Sequence, residues 1–553
     1  MKIQTFLIKY WQIILIVALG LFVSWPIFVP GYFSHHDDLQ IMRIFEMRRC
    51  FSDLQIPCRW VPDMGYGNGF PLFNFYGPFP YYLGALFSYV GSYILSAKAI
   101  FFLAVFFGGI TMYFLVKEFT DKNSALAASV LFIFAPYRAL DAYVRGALSE
   151  LFVITLVPLV LFLFYRLIKK PKPIYFAFSA LALAALLATH NIMTILFTPV
   201  IVIWLGYWLW EQRFKSLKVS VLAFILGVGV ASFFILPAFL EKSLVQAEAL
   251  TRFELDFRAH FVTLKQLFLD RVWGYGASVL GSEDGISFQI GWPQWWLALL
   301  SLAAIFITKE RKLRLLTLGL FIIFVLSAFM THNKSAFIWE KLDILKYFQF
   351  PWRFLSLSIF SASVLGGIVV FSLSQKWRIS AAVFIVAFSF LFNWEYFKPR
   401  EFYYLQADTE KLSGALWEEQ QKGAILDYLP KTALEPQEKA PPGPYVVAGA
   451  ASLQNFVNGS NGFAFSADVK RSAQIEVPVF YFPDWKVMVD GKETPVSYQN
   501  QLGRIALNLE EGSHVVEGKF GNTPIRTTAN VLSIASLVVL TLLLYGKSKK
   551  LFT

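Results

Sequence analysis

Charge is scarce in this 553-residue chain: only 16 % of it is Asp, Glu, Lys or Arg, against 56 % hydrophobic residues. That balance excludes an ordinary soluble protein. Histidine and cysteine are rarer still, at six and two residues. Internal repeats are missing, and no small-x-small cleavage site follows the first apolar segment. That segment therefore reads as an uncleaved signal anchor rather than a removed signal peptide. The net charge of +12 calls for no nucleic-acid partner. Much of the Lys and Arg sits in short loops between apolar runs, where it faces anionic lipid of the bilayer.

What is present is a series of hydrophobic runs long enough to cross about 30 Å of hydrocarbon. They fall near 10–28, 97–116, 123–137, 148–166, 174–189, 191–210, 218–238, 292–308, 313–330, 353–374, 379–396 and 528–545, about twelve in all. Segment 78–95 is apolar too, but it carries Tyr, Ser and Gly as an interfacial helix would. If it does not cross, the basic loops 117–122, 166–172, 213–218, 309–314 and 376–378 and the tail 547–550 share the side of the N-terminus. The positive-inside rule selects that arrangement, with both termini cytoplasmic and a multi-pass protein of the cell membrane. The long segments 29–96, 138–147, 239–291, 331–352 and 398–526 then lie outside, so the working face is extracytoplasmic.

Three regions follow. Residues 1–397 form the transmembrane domain with its first outer loop, 29–96. Residues 398–526 form an extracytoplasmic domain, polar helix or loop at first and strand-like from about 443. Residues 527–553 are the last span and a basic cytoplasmic tail. Alternation in 474–482, 485–496, 504–509 and 514–520, with Asp490-Gly491 as a hairpin turn, predicts a small β-sandwich.

The first outer loop opens with Ser34-His35-His36-Asp37-Asp38. Ionisable groups at a membrane surface are costly and mark pathways or reaction centres. A carboxylate here can act as general base toward an acceptor hydroxyl. Asp37, Asp38 and His36 could also hold a divalent cation, Mg or Mn, that stabilises a departing phosphate. Apolar spacing at Leu39, Met42, Phe45, Met47 and Phe51 predicts an amphipathic helix lying on the membrane. The aspartates at its first turn could equally be helix caps. Cys50 and Cys58 share this loop and form either a local disulfide or two buried thiols.

Aromatics interleaved with Asp63, Asn68, Asn74 and Tyr76 make loop 60–82 suited to a sugar, or to interfacial anchoring. Arg138, Asp141 and Arg145 have helical ion-pair spacing. Alternatively Arg138 or Arg145 contacts an anionic headgroup, positioned by Glu150. His190 and Asn191 break an apolar run, as structural residues or as donors to a phosphate or sugar. His260 and His332 are weaker candidates. Pro351-Trp352-Arg353 begins a span, placing Arg353 at a helix N-terminus suited to an anion.

Together, Ser34 to Asp38, Met64 to Leu72, Tyr143 to Ala147, Thr189 to Asn191, Gln349 to Phe354 and Tyr481 to Lys492, with Thr523 to Arg526 before the last span, resemble the bacterial polytopic glycosyltransferases of the GT-C fold. More narrowly they resemble the YfhO-type proteins and the 6-pyruvoyl-tetrahydropterin-synthase-related membrane family. The resemblance covers nearly the whole chain. It implies a sugar transferase with a polyprenyl-phosphate-linked donor, in which a first-loop acid, Asp37 or Asp38, is base or metal ligand. Pterin chemistry is not implied, since it needs a zinc-binding histidine set with no counterpart among six scattered His.

The expectation is thus a GT-C-like α-helical membrane protein with a C-terminal β-domain, performing an inverting transfer. Asp37 or Asp38 deprotonates the acceptor, which is an extracytoplasmic glycan, teichoic acid, lipid or protein. Arg353, Arg138, Arg145 and His190 hold the donor phosphate. His35, His36, Asp63, Asn68, Tyr76, Glu150, Asn191 and Trp352 contact substrate. The rival readings are a transporter or flippase of lipid-linked glycans, and a non-catalytic envelope assembly protein. Transporters tend to show repeats and mid-span charges, which this chain lacks.

Overall fold

The computed structural model describes residues 2–252, 255–281 and 283–545, without the side chains of 2–8, 250 and 545. The basic tail at 547–550 lies outside the described residues. Eight helices are long and apolar enough to cross a membrane, or nine when the pair Lys122–Ile133 and Pro136–Arg145, bent by 42°, counts as one span. Shorter apolar helices, Lys9–Val23, Pro173–Leu187 and Trp292–Ile307, occupy the remaining predicted segments. Segment 78–95 holds only the nine-residue helix Phe79–Phe87 before the next span starts at Tyr93. Starts follow local chemistry: Ser92 caps one span and Asp121 another, while Pro173 and Pro293 stand in the first turns of theirs.

The basic loops gather at one end of the bundle. Arg166 pairs with Glu118 at 2.7 Å and Arg378 with Asp121 at 2.7 Å. Ser216 bonds the Ile168 carbonyl, and Tyr207 reaches the Lys312 carbonyl. The first loop and the β-domain lie at the other end.

Helix Gln40–Ser52 is present, but it does not lie on a membrane surface. Ile41, Met42, Ile44 and Met47 are fully buried, as is Glu46. The chain folds back over it, with Trp417 edge-on to Phe45 at 5.4 Å. Cys50 and Cys58 are disulfide-bonded across a Cα separation of 5.5 Å.

Strand β1 (Tyr32–Phe33) pairs antiparallel with β2 (Phe402–Tyr403), tying the first loop to the start of the 398–526 segment. Beyond it come β3 (Tyr445–Asn458), β4 (Gly462–Phe480), β5 (Trp485–Val489), β6 (Lys492–Thr494), β7 (Arg504–Leu509) and β8 (Gly512–Phe520). They form one six-stranded antiparallel sheet, order β3-β4-β8-β5-β6, with β7 also on β4. The expected β-domain is thus present, its strands joined into one hydrogen-bonded sheet. The reason is the 19-residue β4, whose first half pairs β8 and whose second half pairs β7. Exposed Lys470, Arg471 and Ser472 separate the halves. The Asp490-Gly491 turn is formed, both residues at positive φ.

Candidate active site

A cavity of about 1370 Å³ opens at the end of the bundle that carries the first loop. His36, Asp37, Asp38, Tyr76, Arg145, Glu150, His190, Asn191, Trp352 and Arg353 all line it. Segments 36–39, 75–77, 145–150, 190–195 and 348–353, scattered through the sequence, thus meet at one place.

Two close approaches make this convergence possible. Gly77 lies so near the next span that a Cβ there would sit 1.9 Å from the Thr189 carbonyl oxygen. Tyr76 and His190 therefore share a wall. Gly146, at φ +65, ends the short π-helix Asp141–Arg145 and packs its open side on the His35 ring.

The cationic side of the cavity is organised by one buried carboxylate. Glu150 Oε2 lies 3.1 Å from Arg145 Nη1 and 3.3 Å from Arg353 Nε. Arg353 Nη1 also donates to the Phe348 carbonyl at 2.6 Å and to Gln349 Oε1 at 3.0 Å. The Arg145 guanidinium stacks over Trp352, 4.4 Å from the ring centre, and pairs with Asp141. His190 caps the Asn191–Glu211 helix by accepting from the Met193 N–H through Nδ1. Burial, then the nearby Arg353 charge, lowers its pKa to about 3, so the ring is neutral and Nε2 is the donor. Two guanidiniums, an imidazole N–H and a helix N-terminus on one wall suit an anionic phosphate.

The acid pair stands opposite, and neither residue caps the Gln40–Ser52 helix. Asp37 Oδ2 accepts from Arg43 Nη1 at 2.8 Å and from Gln40 Nε2 at 3.1 Å. Asp38 pairs with Lys411, and its Oδ1 is 4.0 Å from His35 Nε2. His36 Nε2 lies 3.0 Å from the Tyr275 carbonyl. These groups do not fit a Mg or Mn ion: Arg43 and Lys411 already engage the carboxylates, and His36 points to a carbonyl. Among the described residues no three His, Cys, Asp or Glu side chains gather as metal ligands. The expected metal set of Asp37, Asp38 and His36 is corrected accordingly. No step below passes through a metal.

Four further expectations are corrected. Arg138 is buried away from the cavity, donating to the Phe132, Ala104 and Val105 carbonyls instead of pairing with Asp141 or a headgroup. His35 is also outside the cavity lining, edge-on to Tyr32, Phe33 and Phe101-facing space, with Nε2 3.2 Å from the Tyr32 hydroxyl. Burial pushes its pKa down despite Asp38. Asp63 pairs with Arg49, and Asn68 Oδ1 accepts from Arg504 Nε of β7 at 2.7 Å. Both belong to the seam with the β-domain. There Trp60 is fully buried against Trp485 (5.5 Å) and Phe520 (5.4 Å). Most of loop 60–82 is thus a seat for the sheet, and only Phe75, Tyr76 and Gly77 reach the cavity. Other rings of the loop, Trp60, Phe70, Phe73 and Tyr81, are buried in the protein interior.

Sequence reading missed Arg43, Lys411, Asp427 and Tyr428, all of which line the cavity. Arg43 stood six residues after Asp37 in a helix read for its apolar face. The others lie in the polar 398–440 stretch, which carries no motif. That stretch wraps back over the first loop: Ser34 N donates to the Glu401 carbonyl at 3.1 Å, and Tyr428 stacks on Phe75 at 5.9 Å.

Three solved structures overlap part of the chain. An arabinofuranosyltransferase, AftD from Mycobacteria, matches 71 % of this chain at TM-score 0.43 and 16 % identity, covering 27 % of its own length. ArnT from Cupriavidus metallidurans bound to undecaprenyl phosphate matches 66 % at 0.36 and 14 %, covering 61 %. The Archaeoglobus fulgidus oligosaccharyltransferase matches 77 % at 0.39 and 11 %, covering 57 %. An uncharacterized protein of Lactococcus lactis subsp. cremoris (strain MG1363) is 23 % identical over 236 residues, 40 % of this chain and 38 % of that protein. In every case the chain spans less than two thirds of the relative's length. A family model described as a 6-pyruvoyl-tetrahydropterin synthase related domain of membrane proteins matches residues 73–399.

Proposed function

The chain belongs to the 6-pyruvoyl-tetrahydropterin-synthase-related membrane proteins, and we propose that it is a membrane glycosyltransferase using a polyprenyl-phosphate-linked sugar. The observation that carries this reading is one cavity with three kinds of wall. Arg145 and Arg353, both held by Glu150, face carboxylates of the first loop. Between them Ile192, Ile195, Ala238, Phe239 and Ile344 form an apolar side where two spans end. Phe239 and Ile344 are also exposed on the outside of the protein. A phosphate with an isoprenoid tail fits that combination: the anion meets the guanidiniums and the tail leaves along the apolar side.

The reaction is an inverting displacement. A cavity carboxylate (Asp37, Asp38 or Asp427) takes the proton of the acceptor hydroxyl, and the oxygen attacks the anomeric carbon. The leaving phosphate gains charge, which Arg353, Arg145 and the His190 N–H stabilise. Positioning both reactants in one enclosed site supplies the rest. The acceptor is an extracytoplasmic glycan, teichoic acid, lipid or protein, reached from the β-domain end, which on the charge bias of the loops is the outer face.

Purified protein in lipid nanodiscs, given undecaprenyl-phosphate sugars and envelope extract, tests the reading. Release of undecaprenyl phosphate with labelled acceptor supports it. Movement of the intact lipid-linked sugar across a bilayer without release would make the protein a flippase. Binding of envelope components with neither outcome would make it an assembly factor.

A further inference from the structure

Six carboxylates line the cavity. Glu150 is taken by Arg145 and Arg353, and Asp343 and Glu419 are exposed. The three half-buried ones, Asp37, Asp38 and Asp427, differ in what already holds them. Asp37 gives Oδ2 to Arg43 and Gln40, and Asp38 gives Oδ2 to Lys411. Asp427 lines the same cavity, half-buried, and its carboxylate has no ion pair or hydrogen bond among the described residues. A general base needs a lone pair free to meet the reacting hydroxyl. Glu419 is unpaired too but stands exposed at the rim; of the buried and half-buried cavity carboxylates, only Asp427 offers both oxygens among the described residues.

Its placement is enforced rather than incidental. Asp427 ends the single 3-10 turn Ile425–Asp427, entered from Ala424 at φ +56. A left-handed alanine is disfavoured by its Cβ and persists only where the surroundings impose it. Ile425 and Leu429, buried in the β-domain core, pin the turn on both sides. The charges acting on Asp427 come from both walls: Arg43 and Asp37 from the first loop, and Arg353 from the phosphate side. Tyr428, next in sequence, adjoins Tyr76 with ring centres 6.4 Å apart. Asp427 thus shares the cavity with the first-loop acids and the guanidinium assigned to the leaving group, and feels the charge of both sides.

We propose that Asp427, rather than Asp37 or Asp38, accepts the proton of the acceptor hydroxyl. Asp37 and Asp38 then act as positioning residues that fix Arg43 and Lys411. This assignment rests on the glycosyl-transfer reading above. As the acceptor O–H bond breaks, its proton goes to an Asp427 oxygen. The oxygen's electron pair forms the new bond to the anomeric carbon. The bond from that carbon to the phosphate oxygen breaks, and its pair leaves with the phosphate beside Arg353. No oxidant, reductant or further reactant is needed. Burial, aided by the Asp37 charge and opposed by Arg43 and Arg353, raises the Asp427 pKa to about 6. The group is ionised at neutral pH and more basic than an ordinary carboxylate, as a base should be. The charged and titratable groups facing it are Arg43, Asp37, Arg353 and Tyr428, with Tyr76 behind.

The test compares wild type, Asp427→Asn, Asp427→Glu and Asp38→Asn in nanodiscs with a panel of undecaprenyl-phosphate hexoses. Release of undecaprenyl phosphate is followed from pH 5 to 9, and binding of undecaprenyl monophosphate is measured separately. Asp427→Asn should lose about 100-fold or more in kcat while binding undecaprenyl phosphate within threefold of wild type. Asp427→Glu should retain turnover with a displaced acid limb, and Asp38→Asn should keep the wild-type acid limb whatever its rate. Asp427→Asn turnover within tenfold of wild type, with the limb unmoved, overturns the assignment and leaves glycosyl transfer standing. A wild type that neither binds undecaprenyl phosphate nor releases it from any donor overturns the glycosyl-transfer reading, and this assignment with it.

Discussion

Lys411 Nζ and the Asp38 carboxylate form an ion pair between residues 373 positions apart. The pair fastens the 398–440 segment to the first loop beside the cavity. Its two members are unequal, since the Lys411 side chain is 2 % exposed and that of Asp38 is 38 % exposed.

Breaking the pair from either side should therefore cost different amounts. Asp38→Asn strands a buried ammonium, with an expected loss of about 2–3 kcal/mol. Lys411→Met leaves a carboxylate that water still reaches, with an expected loss under about 1 kcal/mol. Thermal unfolding of both variants in the same detergent measures the difference. The opposite ranking would show that the pair does not hold the segment as described.

Glu150→Gln should disable the cationic wall without touching the acids. The variant loses the charge that orients Arg145 and Arg353 together, leaving Arg353 without a carboxylate and Arg145 with Asp141 alone. Affinity for undecaprenyl phosphate should fall at least about tenfold, since a charge-assisted contact is worth roughly 1.5–3 kcal/mol. Direct titration of the lipid phosphate decides this, and unchanged affinity would move the phosphate site elsewhere.

Gly77→Ala should be among the least tolerated single changes in the chain. The added methyl meets the Thr189 backbone oxygen at 1.9 Å, and backbone cannot rotate aside. Overpacking of this kind costs about 1–3 kcal/mol or more, and it separates Tyr76 from His190. Gly206→Ala is the control, because nothing lies within 4 Å of its new methyl. Melting temperatures of the two should diverge, with Gly206→Ala neutral or slightly stabilising through helix propensity.

Trp60→Ala should loosen the β-domain from the membrane body. The ring is fully buried against Trp485 and Phe520, and truncating such a side chain costs about 3–5 kcal/mol. Limited proteolysis should then release the 445–520 sheet at protease levels that leave wild type intact. An unchanged cleavage pattern would mean that Arg504 with Asn68 suffices to hold the seam.

Orientation is open to a labelling experiment on whole cells. Both native cysteines are bonded to each other, so single introduced thiols report cleanly. Gln499→Cys, exposed on the β-domain, should react with an impermeant maleimide from outside. Lys312→Cys, exposed among the basic loops, should react only after permeabilisation. The reverse pattern would put the cavity in the cytosol.

Much of the architecture was legible along the chain. The segment near 123–137 is a helix because its apolar run follows Asp121, whose carboxylate caps it. Segment 78–95 does not form one crossing helix, in keeping with its Tyr and Ser content and the bias of the basic loops. Arg353 sits at the head of a helix because Pro351 starts it. Glu150 was legible as a partner of Arg145, though not of Arg353 as well. The site was only half readable. Arg138 and Arg145 look alike in the sequence, yet one is sunk among carbonyls of a neighbouring span and the other faces the cavity. Asp63 and Asn68 carry the residue types of a sugar site, yet Arg49 and Arg504 claim them for the domain seam.

The sequence by itself determined the membrane class, the apolar helices, the clustering of basic loops, the Asp490-Gly491 turn and the concentration of ionisable residues at the start of the first loop. Each of these depends on hydropathy, charge or backbone preference within a few residues. Only the tertiary structure decided that Arg43 and Lys411 take the acids, that the rings of loop 60–82 seat a sheet, and that Asp427 enters the cavity unpaired. Those outcomes depend on which distant surfaces dock, because a side chain's partners are set by packing in space and leave no periodic mark on the chain.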